Sequence, residues 1–457
     1  MAPALPAEVS DLLDACPALE ACELMVPDVN GVLRGKRVGR REFDAVFTRG
    51  LNLPASTALL SARGENFETI PYGAHDGDPD VVCKLVPGSV AMVPWSGVNL
   101  AQALMTMESL DGKPFWGDPR NVLRRVLDRF AKDGLTPVIA VELEFYLLDA
   151  SSKDVTPRLA HIPGTGLGSD GANCYNLDQL RDLEGFLHAV EKTCQAQRIP
   201  VGTAISEYGP GQFEVNLHHV ADAELACDHA MLLKRAVKNV ALDHGMVASF
   251  MAKPFEEYAG CGTHIHVSVL DGDGRNVFAG ASKSDVSLPA PLRHAIGGLR
   301  ETMAQGMAIF APNANSYRRF RPGFFAPVNP SWGINHRSVA LRVPVSDSNN
   351  LRVEHRVAGA DCNPYLLTAA VLAGLHHGLK TRPDPGTAVL PGGDAPDERT
   401  LPLRLGEAVD ALESGAVLRD YLGEQYVDVF AATRREESDR FHSQVSNRDY
   451  EWYLRTV

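Results

Sequence analysis

Apolar and polar positions along the chain fall into two regimes. Up to about Leu110 they form short apolar runs broken by turn residues, as in CELMVPDVNGVLRGKRV and VVCKLVPGSVAMVPW, the pattern of a small β-rich domain. A turn-rich joint, Asp111–Pro119, follows. Val122, Leu123, Val126, Leu127 and Phe130 then recur at helical spacing, predicting a helix over Asn121–Lys132 that Gly134 closes. A boundary is therefore expected between domains of 1–112 and 113–457. In the second, helix-like and strand-like stretches alternate. The patterning predicts a helix over Ala223–His244 stopped by Gly245, and strands near 138–147, 212–218, 262–270, 338–344 and 351–357. This is the patterning of an α/β or α+β catalytic domain. The Pro- and Gly-rich stretch Thr381–Thr400 predicts an exposed loop.

Composition narrows the partners rather than the fold. With 457 residues, 45% apolar and 22% charged, the chain should fold as an ordinary globular protein. Lys plus Arg number 44 against 57 Asp plus Glu, and the net charge of −13 argues against a nucleic-acid partner. The longest uncharged apolar stretch, Asn363–Leu379, is interrupted by His376 and His377 and is too short for a membrane span. No basic region precedes the first apolar residues, so no signal peptide is expected. The eight cysteines form no CxxC pair, which suits reduced thiols. A soluble cytoplasmic protein is expected.

The candidate chemistry lies on strand faces. Residues two apart on a strand share a face, so Glu142 and Glu144 in VELEFY lie together. One such pair is ordinary on a solvent-facing strand. Here it recurs. In Glu207-Tyr-Gly-Pro-Gly-Gln-Phe-Glu214-Val-Asn-Leu-His218 a Gly-Pro-Gly turn separates two more glutamates, and Glu214, Asn216 and His218 alternate with apolar residues. The same alternation aligns His264, His266 and Ser268, and again Arg352, Glu354 and Arg356. Hard divalent ions take carboxylate oxygens and accept an imidazole, and carboxylates share a confined site only if a cation offsets their repulsion. Five carboxylates and a histidine could hold two ions. Arginines in NSYRRFRPG, at Arg337 and Arg342, and at Arg352 and Arg356 stand in apolar surroundings, ready to fork onto carboxylate or phosphate oxygens. Metal plus arginine points to phosphoryl transfer. Neither GxxxxGK[ST] nor GxGxxG occurs, so ATP would be held by other devices.

The ordered segments VELEFYLL, SEYGPGQFEVN, GTHIHVS, APNANSYRRFRPG, NHRSVALRVP and RVEHRVAGADCNPYLLTAA resemble the glutamine synthetase superfamily over nearly the whole chain. LNLPAS, FMAKPFEEYAGCGTHIHVS and SWGINHRSVALRVP are more similar to its γ-glutamylpolyamine synthetase branch than to ammonium-using enzymes. The resemblance implies an α+β fold. An N-terminal β-grasp domain would precede a catalytic domain whose curved antiparallel sheet is flanked by helices. It also implies a homododecamer of two hexameric rings with active sites between neighbouring subunits. ATP and two or more Mg²⁺ or Mn²⁺ ions are the implied cofactors. By position, Glu144, Glu207 and Glu214 would hold one metal, and Glu142, His264 and Glu354 the metal on the ATP side. Arg319, Arg356 and the backbone at Gly260 would bind glutamate. Arg337, Arg342 and Arg352 would contact phosphates, and His266 and Ser268 would lie by the nucleotide.

Two departures bear on the substrate. Where ammonium-using enzymes place a glutamate after the PG-aromatic pair, Pro322-Gly-Phe-Phe-Ala-Pro327 has Phe325; where they contribute an aspartate, Leu53-Pro-Ala-Ser56 has Pro54. An aromatic suits an alkyl chain and can face a cation through its ring. The expected activity is therefore an ATP-dependent ligase joining glutamate to a primary amine or polyamine through γ-glutamyl phosphate. Arg337 and Glu207 are the catalytic candidates, the latter as base. Ammonium-using glutamine synthetase is the alternative, and an inactive structural relative a more distant one. Glu65, Glu68, Asp76 and Asp78 are candidates for holding the distal ammonium of a diamine. Ala259 stands where relatives often place an asparagine. The 381–400 loop has no tyrosine, so adenylylation there is not expected.

Overall fold

A computed structural model describes residues 4–161, 165, 167–169, 171, 174–279, 288–321, 325–390 and 400–457. The chain up to Glu108 comprises α1 (Ala7–Ala15), β1 (Ala21–Pro27), β2 (Leu33–Gly39), α2 (Phe43–Arg49), β3 (Leu51–Pro54), β4 (Asp80–Leu85), β5 (Ala91–Met92) and β6 (Leu100–Glu108). The strands form one mixed sheet in the order β2-β1-β6-β4-β3, with β5 also on β6 and only β1–β6 parallel. Val9 and Leu13 of α1 and Phe43 and Phe47 of α2 share a core with Cys22, Leu24, Ala101 and Ala103 of this sheet, the two-layer arrangement of a β-grasp domain. The short-run pattern foretold the strands; the two helices were too short to leave a periodic stripe.

The remaining elements are α3 (Pro119–Lys132), β7 (Thr136–Asp149), β8 (Ala160–His161), β9 (Gly168–Ser169), α4 (Leu177–Asp182), α5 (Glu184–Ala196), β10 (Val201–Ser206), β11 (Gln212–Leu217), α6 (Ala223–Asp243), β12 (Met246–Ser249), β13 (Thr263–Leu270), α7 (Ala290–Phe310), β14 (Trp332–Ile334), β15 (Leu341–Val343), β16 (Val353–His355), α8 (Pro364–Thr381), α9 (Leu405–Ser414), α10 (Ala416–Leu422), α11 (Glu424–His442) and α12 (Asn447–Tyr453). The main sheet runs β10-β11-β7-β13-β16-β15-β14, with β12 also on β7. Its pairs are antiparallel except β14–β15. One face of the sheet is apolar: Val141, Leu143, Phe145, Phe213, Val215, Ile265 and Val267 are buried with residues of α3, α6, α7 and α8. The other carries the polar residues singled out above.

Local chemistry explains the helices on which this sheet rests. Asp118 caps α3 by accepting from the Arg120 N–H, Pro119 takes the first position, and Val122, Leu123, Val126 and Phe130 form the buried stripe. Asp222 caps α6 through the Leu225 N–H. The helix stops at Gly245, whose φ of 68° is the left-handed conformation that favours glycine. The apolar Asn363–Leu379 stretch is α8, capped by Asn363 and buried nearly all round in the core. Among the described residues no helix is long and apolar enough to cross a membrane. The eight cysteines are unpaired. Described residues of the 381–400 loop lack strand and, beyond Thr381, helix; 391–399 lie outside the described residues.

Candidate active site

Strand register assembles the polar face. On β7, Glu142 lies opposite His264 of β13 on one side and Asn216 of β11 on the other, while Glu144 lies opposite Glu214. Further across, His266 pairs with Glu354 of β16, and Glu354 with Arg342 of β15. Directly opposed residues point to the same face with Cβ atoms about 5 Å apart, so five strands deliver their chemistry to one patch. Ligand atoms of Glu142, His264 and Glu354 lie within 4.8 Å of one another, as do those of Glu144, Glu214 and His264. His264 joins the two groups: its Nδ1 is 3.1 Å from Glu142 and 3.9 Å from Glu354, and its Nε2 is 4.0 Å from Glu144. Glu207, placed by the sequence reading with Glu144 and Glu214, sits beside this second group, in the turn between β10 and β11. There its backbone N–H donates to the Gln212 carbonyl.

The arginines divide by burial. Glu354, 1% exposed, receives Arg342 Nη1 at 2.8 Å and an ion pair from Arg356. Arg319 is buried and donates to the Val357 carbonyl at 2.7 Å. It packs so close to Gly260 and Gly262 that a Cβ at either would meet it, at 2.8 Å from Cγ and 2.7 Å from Nη2 respectively. Only glycine lets the backbone and this guanidinium share the space. Arg352 Nε donates to His266 Nδ1 at 3.2 Å, leaving Nε2 as the protonated nitrogen that donates to Glu142 at 2.9 Å. Arg337 stands at the exposed rim and donates to the Tyr175 hydroxyl at 3.1 Å. Ser268 follows His266 on the same strand face, half-buried.

Three positioning residues escaped the sequence reading. Gln212 donates to the Gly260 carbonyl at 3.0 Å and to Glu144 at 3.4 Å, tying β11 to the glycine segment. Its signal was present: it opens the same alternation as Glu214. Tyr175 and Asn335, which hold Arg337 and Arg342, lie in segments without periodicity. Phe325 is 64% exposed with φ of 52°, and the Pro322–Phe324 part of its motif lies outside the described residues. Pro54 ends β3, opposite Asp80. Of the four N-terminal acids, Asp76 and Asp78 brace a turn and Ser56, and Glu65 meets Arg63 and Arg440. Only the Glu68 carboxylate has no protein partner among the described residues.

The carboxylates are too close to ionise together unaided. Burial first, then the charges of Glu142, Glu144 and Glu207, push Glu214 up to about 10. Burial and then Glu144 push Glu207 up to about 7. Burial also raises Glu144, outweighing Arg319 and the Gly262 N–H. For Glu142, burial is outweighed by hydrogen bonds from His264 and His266, which hold it well below the usual carboxylate range. Oxygen-rich groups joined by one buried imidazole fit hard divalent cations, whose charge would remove this repulsion.

A pH dependence follows. Glu207 is at about 7 folded against 4.5 free, so its protonated form stabilises the metal-free fold fully below 4.5 and that contribution is lost as pH rises through about 7. The melting temperature of chelator-treated protein should therefore decline across this window relative to Mg²⁺- or Mn²⁺-loaded protein. Cation binding there should also release protons. Calorimetric melts with and without metal, and titrations in two buffers of different ionisation enthalpy, measure both. A metal-induced shift independent of pH would contradict the assignment.

The family model "Glutamine synthetase, catalytic domain" matches residues 116–453. The chain is 39% identical over 452 residues to gamma-glutamylputrescine synthetase of Escherichia coli (strain K12), covering 98% of this chain and 95% of that one. It is 32% identical over 474 residues to gamma-glutamylethanolamide synthetase of Streptomyces coelicolor, covering 99% and 96%. A solved GmaS complex with ADP superposes with a TM-score of 0.84 at 26% identity, covering 99% of this chain and 100% of that one.

Proposed function

The chain belongs to the glutamine synthetase family, and we propose that within it the protein joins the γ-carboxylate of glutamate to a primary amine or polyamine at the expense of ATP. The observation that carries this reading is the pair of ligand groups sharing His264, set in register with Arg342 and Glu354. Likeness to enzymes named for putrescine and ethanolamide products supports amine over ammonium, as do Phe325 and Pro54 at positions where ammonium users carry acids.

The γ-carboxylate oxygen of glutamate attacks the γ-phosphorus of ATP, ADP leaves, and γ-glutamyl phosphate forms. The amine nitrogen then attacks the acyl carbon, phosphate leaves, and the amine's extra proton passes to a base. Glutamate would be held by Arg319, Arg356 and the Gly260 backbone. Arg337, Arg342 and Arg352 would hold the phosphates in line, and His266 and Ser268 would lie beside the nucleotide. Two or more Mg²⁺ or Mn²⁺ ions would be held by Glu142, His264 and Glu354 and by Glu144, Glu207 and Glu214, and when bound would neutralise charge on the transferring phosphoryl group. Glu207, where it is not committed to metal, would be the base that accepts the amine proton. Domains of 1–112 and 113–457, a two-ring homododecamer and a cytoplasmic location complete the proposal.

The test is glutamate-dependent phosphate release from ATP and Mg²⁺ with ammonium, putrescine, spermidine, ethanolamine and short alkylamines, with product masses measured. Turnover with at least one primary amine, well above ammonium, is the expected result. Efficient turnover with ammonium alone would overturn it.

A further inference from the structure

On the side of α6 away from the polar sheet face, a cavity of about 680 Å³ lies where the β1–β2 turn (30–33), α6, the end of β12, the 312–315 segment and the end of α11 meet. None of the residues assigned to the reaction lines it. Two lysines one helical turn apart, Lys234 and Lys238, both face it and both sit over the ring of Phe250, their ammonium nitrogens 5.3 and 5.7 Å from its centroid. Among the described residues neither makes an ion pair with a carboxylate. Lys234, buried, donates to the Ala360 carbonyl at 2.8 Å and to that of Cys362 at 3.5 Å; Lys238 is exposed at the mouth.

The other cations of the lining are already paired. Arg235 donates to Gln102 at 2.9 Å and pairs with Glu23; Arg434 donates to Asn30 at 2.8 Å and pairs with Glu437 at 3.0 Å. Asp361 accepts through Oδ2 from Ser316 and Asn313, while its Oδ1 has no hydrogen-bond partner among the described residues and its charge acts on Lys234. What remains is a net positive charge at the two lysines, in a lining whose apolar part is Leu33, Leu148, Met231, Phe250, Met251 and Phe441. Burial, with the Lys238 charge adding to it and Asp361 only partly opposing it, pushes the Lys234 ammonium down to about 8, a tension that a further negative charge near the two lysines would relieve.

We propose that this cavity is a binding site for a small organic anion, its carboxylate between Lys234 and Lys238 and its apolar body along Phe250 and Met231. The net positive charge of Lys234 and Lys238, neither of them ion-paired among the described residues, supplies the recognition, and the apolar lining selects a body that inorganic anions lack. Because the walls come from both the N-terminal sheet and the main sheet's helices, the ligand bridges the two halves of the chain and stabilises their junction. The site is independent of the reaction proposed above.

Direct titration of the full chain tests it, with phenylacetate, neutral phenylacetamide and inorganic phosphate as probes and saturating glutamate present to fill the proposed substrate site. Phenylacetate should bind saturably and raise the melting temperature, with the amide and phosphate each at least about tenfold weaker. Lys238→Gln, at the exposed mouth, should weaken phenylacetate about tenfold while Lys238→Arg retains it. Absence of saturable binding, equal binding of acid and amide, phosphate binding as tight as phenylacetate, or binding indifferent to Lys238→Gln would each overturn the proposal.

Discussion

Replacing Glu354 with glutamine should cut glutamate-dependent phosphate release by roughly a thousandfold and lower the folding stability as well. Glu354 is 1% exposed, and its two oxygens are taken by Arg342 and Arg356, with His264 Nδ1 3.9 Å away. Burial alone would raise its pKa, but Arg356, then His266 and His264, carry it down to about 2, so it is an anion at any working pH. Glutamine keeps the shape and removes the charge. The buried Arg356 and the half-buried Arg342 then lose their counter-ion, and uncoupling a buried pair costs on the order of 3–5 kcal/mol. The first ligand group also loses its only carboxylate other than Glu142, and removing one preorganised charge-stabilising group from a site typically costs 10²–10³ in rate, about 3–4 kcal/mol. Melting curves and phosphate release at rising Mg²⁺ separate the two effects. A merely structural role would lower the melting temperature and leave the Mg²⁺ dependence unchanged; participation in the ligand group raises the Mg²⁺ requirement. Near-normal turnover would sink both the ligand assignment and the arginine arrangement built on it.

How much of this was legible follows from where physical constraints act locally. β7, β11 and β13 could be read from alternation because one face of each packs on helices while the other carries charge; the expected strands at 138–147, 212–218 and 262–270 became Thr136–Asp149, Gln212–Leu217 and Thr263–Leu270. The expected 338–344 and 351–357 contract to three-residue strands. Their flanks still hydrogen-bond, as in Arg356 N–H to the Ala340 carbonyl, but leave the ladder. Register lies beyond a periodicity argument: that Glu142 has His264 rather than His266 as its cross-strand partner depends on pairing across more than a hundred residues. The same limit explains Glu207. The family resemblance put it with Glu144 and Glu214; a turn residue has no pleat to fix its direction, and in the metal-free chain the third ligand atom within 4.8 Å of theirs is that of His264. The charged pair Lys234 and Lys238 was invisible for the opposite reason. Lysines four apart on an amphipathic helix read as a solvated face, and only the packing of α11 and the β1–β2 turn over α6 makes them line a cavity.

Changing Phe325 to glutamate should move the enzyme toward ammonium, raising the ratio of kcat/KM for ammonium over that for its best primary amine by at least about a hundredfold, or roughly 2.7 kcal/mol. Phe325 has φ of 52° and is 64% exposed. A bulky side chain in the left-handed region costs about 1–2 kcal/mol, and an exposed ring recovers little of that by burial within its own chain. A polypeptide that tolerates both gains its compensation from what the ring meets in use, and in the proposed site that is the amine's carbon chain and cationic head. A carboxylate at the same backbone position would offer ammonium up to about 4 kcal/mol at ~4 Å and an effective dielectric of ~20, before desolvation, while removing the apolar wall an alkyl group needs. Phe325→Leu separates the two contributions: it keeps an apolar surface and should preserve the preference for amine, losing about tenfold in kcat/KM through the missing ring. Neither change should shift the melting temperature appreciably, because the side chain is exposed in the single chain, so altered selectivity without altered stability is the signature to look for. A glutamate variant with an unchanged ammonium-to-amine ratio would remove Phe325 from the amine pocket and transfer the selectivity to Pro54 and the N-terminal acids, Glu68 first among them.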